Sequence, residues 1–202
     1  LYSNSIDLFI EQIFVGFGLL MLLISSIIAF IPEKFAKYIN TFRTYAIKTI
    51  RIAGILGLLW FVIYMILAAS SDTRMFEHLF DTSRNGYERL AILLLLIRFP
   101  LLFGLTQLLW LKKVQARVLY RNLIAVFTIF VALLHGRFLE KFIGITSFFY
   151  RDYLPSSYTI FDDNAWQQLI SAMYKSCTLF AIFVLIFWGI STIINRLKRH
   201  HV

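Results

Sequence analysis

The chain is short of the residues that build soluble surfaces and reactive centres. Only 15% of its 202 residues are charged, against about 25% in a soluble globular domain. It has a single cysteine, Cys177, which excludes an intrachain disulfide and a cysteine metal site. Cys177 lies inside an apolar run, where a thiol packs as a small hydrophobe. The His-Glu-x-x-His pattern of zinc hydrolases, the Gly-x-Ser-x-Gly elbow and a phosphate-binding glycine loop are all missing. With no visible nucleophile–base pair, an enzyme acting by itself is not expected. No internal repeat, low-complexity tract or soluble domain breaks the chain. A signal-peptide pattern is also lacking, since Asp7 and Glu11 stand where its basic segment belongs. Position 1 is Leu1 rather than methionine, as expected of a cleaved leader or an excerpt of a longer chain.

What the chain has in excess is apolar: 59% of it is hydrophobic and 17% aromatic. A domain of this size cannot bury so much apolar surface in its own core, so the surplus is expected to face lipid. A helix needs about 20 apolar residues to cross the hydrocarbon layer. Five runs qualify, at about 8–31, 52–70, 90–111, 123–143 and 170–194. Each is too long and too uniformly apolar for the alternating strands of a membrane barrel. Backbone groups in lipid must be satisfied internally, which makes these runs helices. The expected fold is an all-α integral membrane protein, a single bundle of about five transmembrane helices. Pro32 is expected to close the first helix and Pro100 to kink the third. Trp110 and Trp166 near run ends suit interfacial anchoring.

The net charge of +9 does not point to nucleic acid, because the basic residues form no single patch. They alternate with acidic or balanced connections along the chain. The first connection carries Lys34, Lys37, Arg43 and Lys48, with Arg51 at its edge. The third carries Lys112, Lys113, Arg117 and Arg121, and the tail Arg196, Lys198 and Arg199. The N-terminal stub has no Lys or Arg, and the fourth connection sets Arg151 against Asp152, Asp162 and Asp163. The positive-inside bias then puts the N-terminus outside and the C-terminus in the cytoplasm.

Ionisable side chains within membrane helices are costly and mark pathways, cofactors or helix contacts. Arg98 lies about 13 Å below the outer edge of its helix, at 1.5 Å per residue. His135, Arg137, Glu140 and Lys141 occupy the outer half of the fourth helix, and Glu11 that of the first. Arg137 and Glu140, three apart, share a helix face and can pair. Glu11, Arg98, His135, Arg137 and Glu140 are therefore expected at one depth on the non-cytoplasmic side. Three readings are open: interhelical ion pairs, a proton-conducting or quinone-proximal cluster, or contacts to another subunit. Lys141 and Lys175 suit snorkelling to the surface. Haem held between two histidines needs a second membrane histidine, and only His135 qualifies. No metal and no cofactor bound by this chain alone is expected.

One region carries a likeness. Gly136-Arg137-Phe138-Leu139-Glu140-Lys141-Phe142, then Ile145-Thr146-Ser147, lead into Arg151-Asp152-Tyr153-Leu154-Pro155-Ser156-Ser157-Tyr158. Upstream stand Phe99-Pro100 and Gln107-Leu108-Leu109-Trp110-Leu111-Lys112-Lys113-Val114. Over about 87–160, this pattern resembles NrfD-like, polysulfide-reductase-type membrane subunits, closest to those of bacterial alternative complex III. The resemblance implies a multi-pass subunit of a quinol-linked respiratory complex in the bacterial inner membrane. It implies that Arg137 and Glu140 line a polar route and that the loop of Arg151, Asp152, Tyr153 and Pro155 contacts partner subunits. The family's quinol pocket belongs mainly to a first helical bundle, which this chain does not supply, and Tyr150 stands where a histidine often precedes the Arg-Asp pair. Expected partners are other subunits of a membrane complex, the lipid bilayer and quinone; a noncatalytic scaffold or assembly subunit is the alternative. A small transporter fits less well, because only Pro100 interrupts a helix.

Overall fold

The computed structural model describes residues 5–28, 30–71, 86–134 and 165–200. Every regular element among them is helical: α1 (Ser5–Ile27), α2 (Glu33–Ser71), α3 (Gly86–Gln107), a 3₁₀ turn (Leu108–Trp110), α4 (Lys112–Ala116), α5 (Val118–Leu133) and α6 (Ala165–His200). Three stretches are long and apolar enough to cross a membrane: Leu8–Ile27, Glu33–Leu67 and Ile170–Leu197. Leu96–Trp110 and Val118–Leu133 are shorter apolar helices.

The start of α2 departs from the sequence reading. The stretch bearing Lys34, Lys37, Arg43 and Lys48, which hydropathy reads as a connection, is helix throughout. No glycine or proline occurs between Pro32 and Gly54 to break it. Thr41 and Thr44 hydroxyls bond back to the Lys37 and Asn40 carbonyls at 2.9 Å each, a helical arrangement. Pro32 opens this helix rather than closing the one before it. Its carbonyl accepts from the Phe35 and Ala36 N–H groups at 3.0 and 3.1 Å, while α1 has already ended at Ile27. A missing N–H costs nothing at the head of a helix, where that donor would be an orphan anyway. Pro100 lies inside α3 without ending it. The breaks come later, at Leu111 and Arg117, whose extended backbones (ψ 123° and 122°) flank the single-turn α4.

α1 is the central helix. Its spanning window is 44% buried, against 11% for those of α2 and α6. Phe14, Phe17, Met21 and Ile24, three or four residues apart, form its buried stripe. Phe17 meets Phe180 of α6 edge-on at 5.7 Å, and Phe14 meets Phe103 of α3 at 5.4 Å. Lipid is as apolar as leucine, so helices in it associate by close packing rather than by hydrophobic exclusion. Glycines permit that approach. A Cβ on Gly16 would strike the Ser176 carbonyl of α6, and one on Gly18 would strike Ile129 and the Ala125 carbonyl of α5. Two residues apart, these glycines serve opposite faces of α1. The outward faces of α2 and α6 stay apolar, with Leu56, Leu59, Ile63 and Ile66 on one and Leu185, Ile186 and Ile193 on the other exposed. Such a continuous apolar surface suits lipid or a partner, not water.

Candidate functional site

Two charged regions lie at different levels of the bundle. The first joins three helices. Arg98 on α3 is 3% exposed, and its Nη2 stands 3.6 Å from Glu11 Oε2 on α1. The same nitrogen donates to the Ala132 carbonyl of α5 at 2.7 Å. Ala132 is in the last turn of α5, where carbonyls lose their intrahelical partners. A guanidinium there satisfies an orphan acceptor and meets the negative end of the helix dipole. Arg98 also lies 5.5 Å from the Phe99 ring centroid. The side chain therefore ties α1, α3 and α5 together with one charge. Glu11 keeps 17% of its surface exposed.

The second region lies where the head of α2 meets the α3–α5 connection. Arg51 stacks on Trp110, its guanidinium carbon 3.2 Å from the ring centroid. Trp110 Nε1 donates to Gln107 Oε1 at 2.9 Å, and Gln107 Nε2 donates to the Arg51 carbonyl at 3.2 Å. This three-residue ring locks α2 onto the end of α3. Close by, Arg121 in the first turn of α5 is 6% exposed, and its Nη1 donates to the Gln115 carbonyl. Next to Arg121 in the chain, Asn122 Oδ1 of α5 accepts from the Ser25 hydroxyl of α1 at 2.7 Å.

Of the five residues expected to share one depth, Glu11 and Arg98 come together. His135, Arg137 and Glu140 lie outside the described residues, as does the loop of Arg151, Asp152, Tyr153 and Pro155. Among the described residues, no three His, Cys, Asp or Glu side chains gather as metal ligands. The Ala132 carbonyl and the buried Arg121 were not foreseen. A backbone acceptor leaves no mark in sequence, and Arg121 looks like any other basic residue of a connection. No known protein family, curated protein or solved structure matches the chain.

Proposed function

We propose that the chain is a five-span integral membrane subunit, N-terminus outside and C-terminus cytoplasmic, that works inside a larger membrane complex. The Glu11–Arg98 pair carries this reading: a charge joint across three helices in the half of the bundle away from the basic connections. A buried pair with an additional hydrogen bond is a means of fixing helix register. The two shorter apolar helices complete the five spans. The assembly to which the motif at Arg151 to Ser157 points is a quinol-linked respiratory complex of the bacterial inner membrane. In that setting the subunit contributes packing, with other subunits, lipid and quinone as neighbours.

A second role, as part of a proton or quinol-proximal route, is favoured by one observation. Glu11 is 17% exposed while its partner is 3% exposed, which gives the carboxylate an outlet that the guanidinium lacks. Glu11→Gln in the assembled complex separates the two roles. A structural joint loses assembly or thermal stability with the substitution. A titrating group keeps assembly and loses quinol-dependent turnover, because glutamine hydrogen-bonds but exchanges no proton. Purification in mild detergent identifies the complex: iron–sulfur or multihaem companions support the respiratory assignment, and unrelated companions replace it with a scaffold. Cysteine-accessibility labelling tests the topology, with Lys112 and Arg199 expected inside and Asp162 outside.

A further inference from the structure

At the level of Arg51 and Arg121, α2, α4 and α5 line an open-mouthed cavity of about 200 Å³. Water takes about 30 Å³ per molecule, so the space holds a small hydrated anion. Four cations line it, Arg43, Lys48, Arg51 and Arg121, together with Thr44, Ile47 and Gln115 and, among the described residues, no carboxylate. Among the described residues none of the four makes an ion pair. The Nε groups of Arg51 and Arg121 are buried without a hydrogen-bond partner among those residues. Arg43 lies close enough to Arg121 for their charges to repel. A buried arginine beside like charges is costly until an anion completes the set.

We propose that this cavity is a binding site for a phosphate oxyanion. Arginine forks match the planar pairs of oxygens that phosphate presents, and lysine adds a point charge at the rim. Two sources share this chemistry, the headgroup of an anionic phospholipid and free phosphate. The site lies at the Lys- and Arg-rich end of the bundle, where anionic headgroups meet basic pockets between helices. It is independent of the Glu11–Arg98 joint and of any quinol-linked role.

The test uses the full chain, purified in detergent and stripped of lipid, with inorganic phosphate, phosphatidylglycerol and phosphatidylcholine as probes. Arg43→Gln and Lys48→Gln are the informative variants, because both side chains stand partly in solvent and their loss spares the buried Arg121. Lys112→Gln, exposed and outside the cavity, is the control. Phosphatidylglycerol or phosphate is expected to raise the unfolding midpoint. Each cavity variant is expected to weaken the apparent affinity about tenfold, the worth of one charge-assisted hydrogen bond, with no change for the control. Protection by phosphatidylglycerol alone assigns the lipid source, and protection by phosphate with the same variant pattern assigns the soluble one. Protection by neither, equal protection by phosphatidylcholine, or equal weakening by Lys112→Gln overturns the site.

Discussion

Arg98 and Arg121 are both almost fully buried, yet their surroundings treat the charge in opposite ways. Arg98 meets a carboxylate and the carbonyl end of a helix. Arg121 meets the Gln115 carbonyl and a neighbouring arginine. One charge is neutralised by a carboxylate, whereas the other belongs to a group of four with no counter-charge among the described residues. Burial alone therefore does not say what an arginine is for; the identity of its neighbours does. A neutralised arginine acts as a joint, and an unneutralised one leaves work for a ligand.

Removing one partner from each region makes this contrast measurable. Arg98→Leu removes the cation beside Glu11 and the donor to the Ala132 carbonyl, and the largest loss is expected there, about 3–5 kcal/mol of unfolding free energy in detergent. Glu11→Leu combined with Arg98→Leu should recover most of that loss, since apolar replacement of a whole buried pair is often near neutral. A double variant as unstable as the sum of the singles would break the joint interpretation. Arg121→Leu in lipid-free, phosphate-free buffer should cost at most about 1 kcal/mol, because it relieves repulsion while giving up one hydrogen bond. A loss as large as that at Arg98 would show that an internal counter-charge exists. Added sodium chloride should stabilise the wild type slightly by screening Arg43 from Arg121, and Arg43→Gln should abolish that gain in thermal-shift measurements. Lys48→Gln, at the exposed rim, should leave the ligand-free midpoint unchanged. It would then report on ligand alone.

The two regions were not equally legible in the sequence. Charges such as Arg98 and Glu11 stand out because each interrupts a long apolar run, and depth follows from counting residues inward. Which of them meet requires the helix crossings. These depend on small residues such as Gly16 and Gly18, whose function as contact points emerges only when two faces are packed. The basic region was hidden by a different cause. Hydropathy measures side-chain polarity, not backbone state, so the charged head of α2 reads as a connection. A better signal was present: no helix breaker for more than five turns, with Ile39, Phe42, Ala46 and Ile50 on one face. The cavity itself draws on residues far apart along the chain, and no local pattern joins Arg43 to Arg121.

The length of α2 has a mechanical consequence. Its 39 residues make a rod about 58 Å long at 1.5 Å per residue, nearly twice the roughly 30 Å hydrocarbon thickness. Its head is braced against α6, where Tyr45 packs on Phe187 and Trp188 at 6.3 and 5.9 Å. In a bilayer, a braced rod of this length answers a change in thickness by tilting rather than by bending. Tilt lowers the basic head toward the headgroups, and a thicker bilayer lifts the rod upright and carries that head outward. Hydrophobic mismatch thus becomes a setting for how readily the arginines of α2 reach the lipid surface.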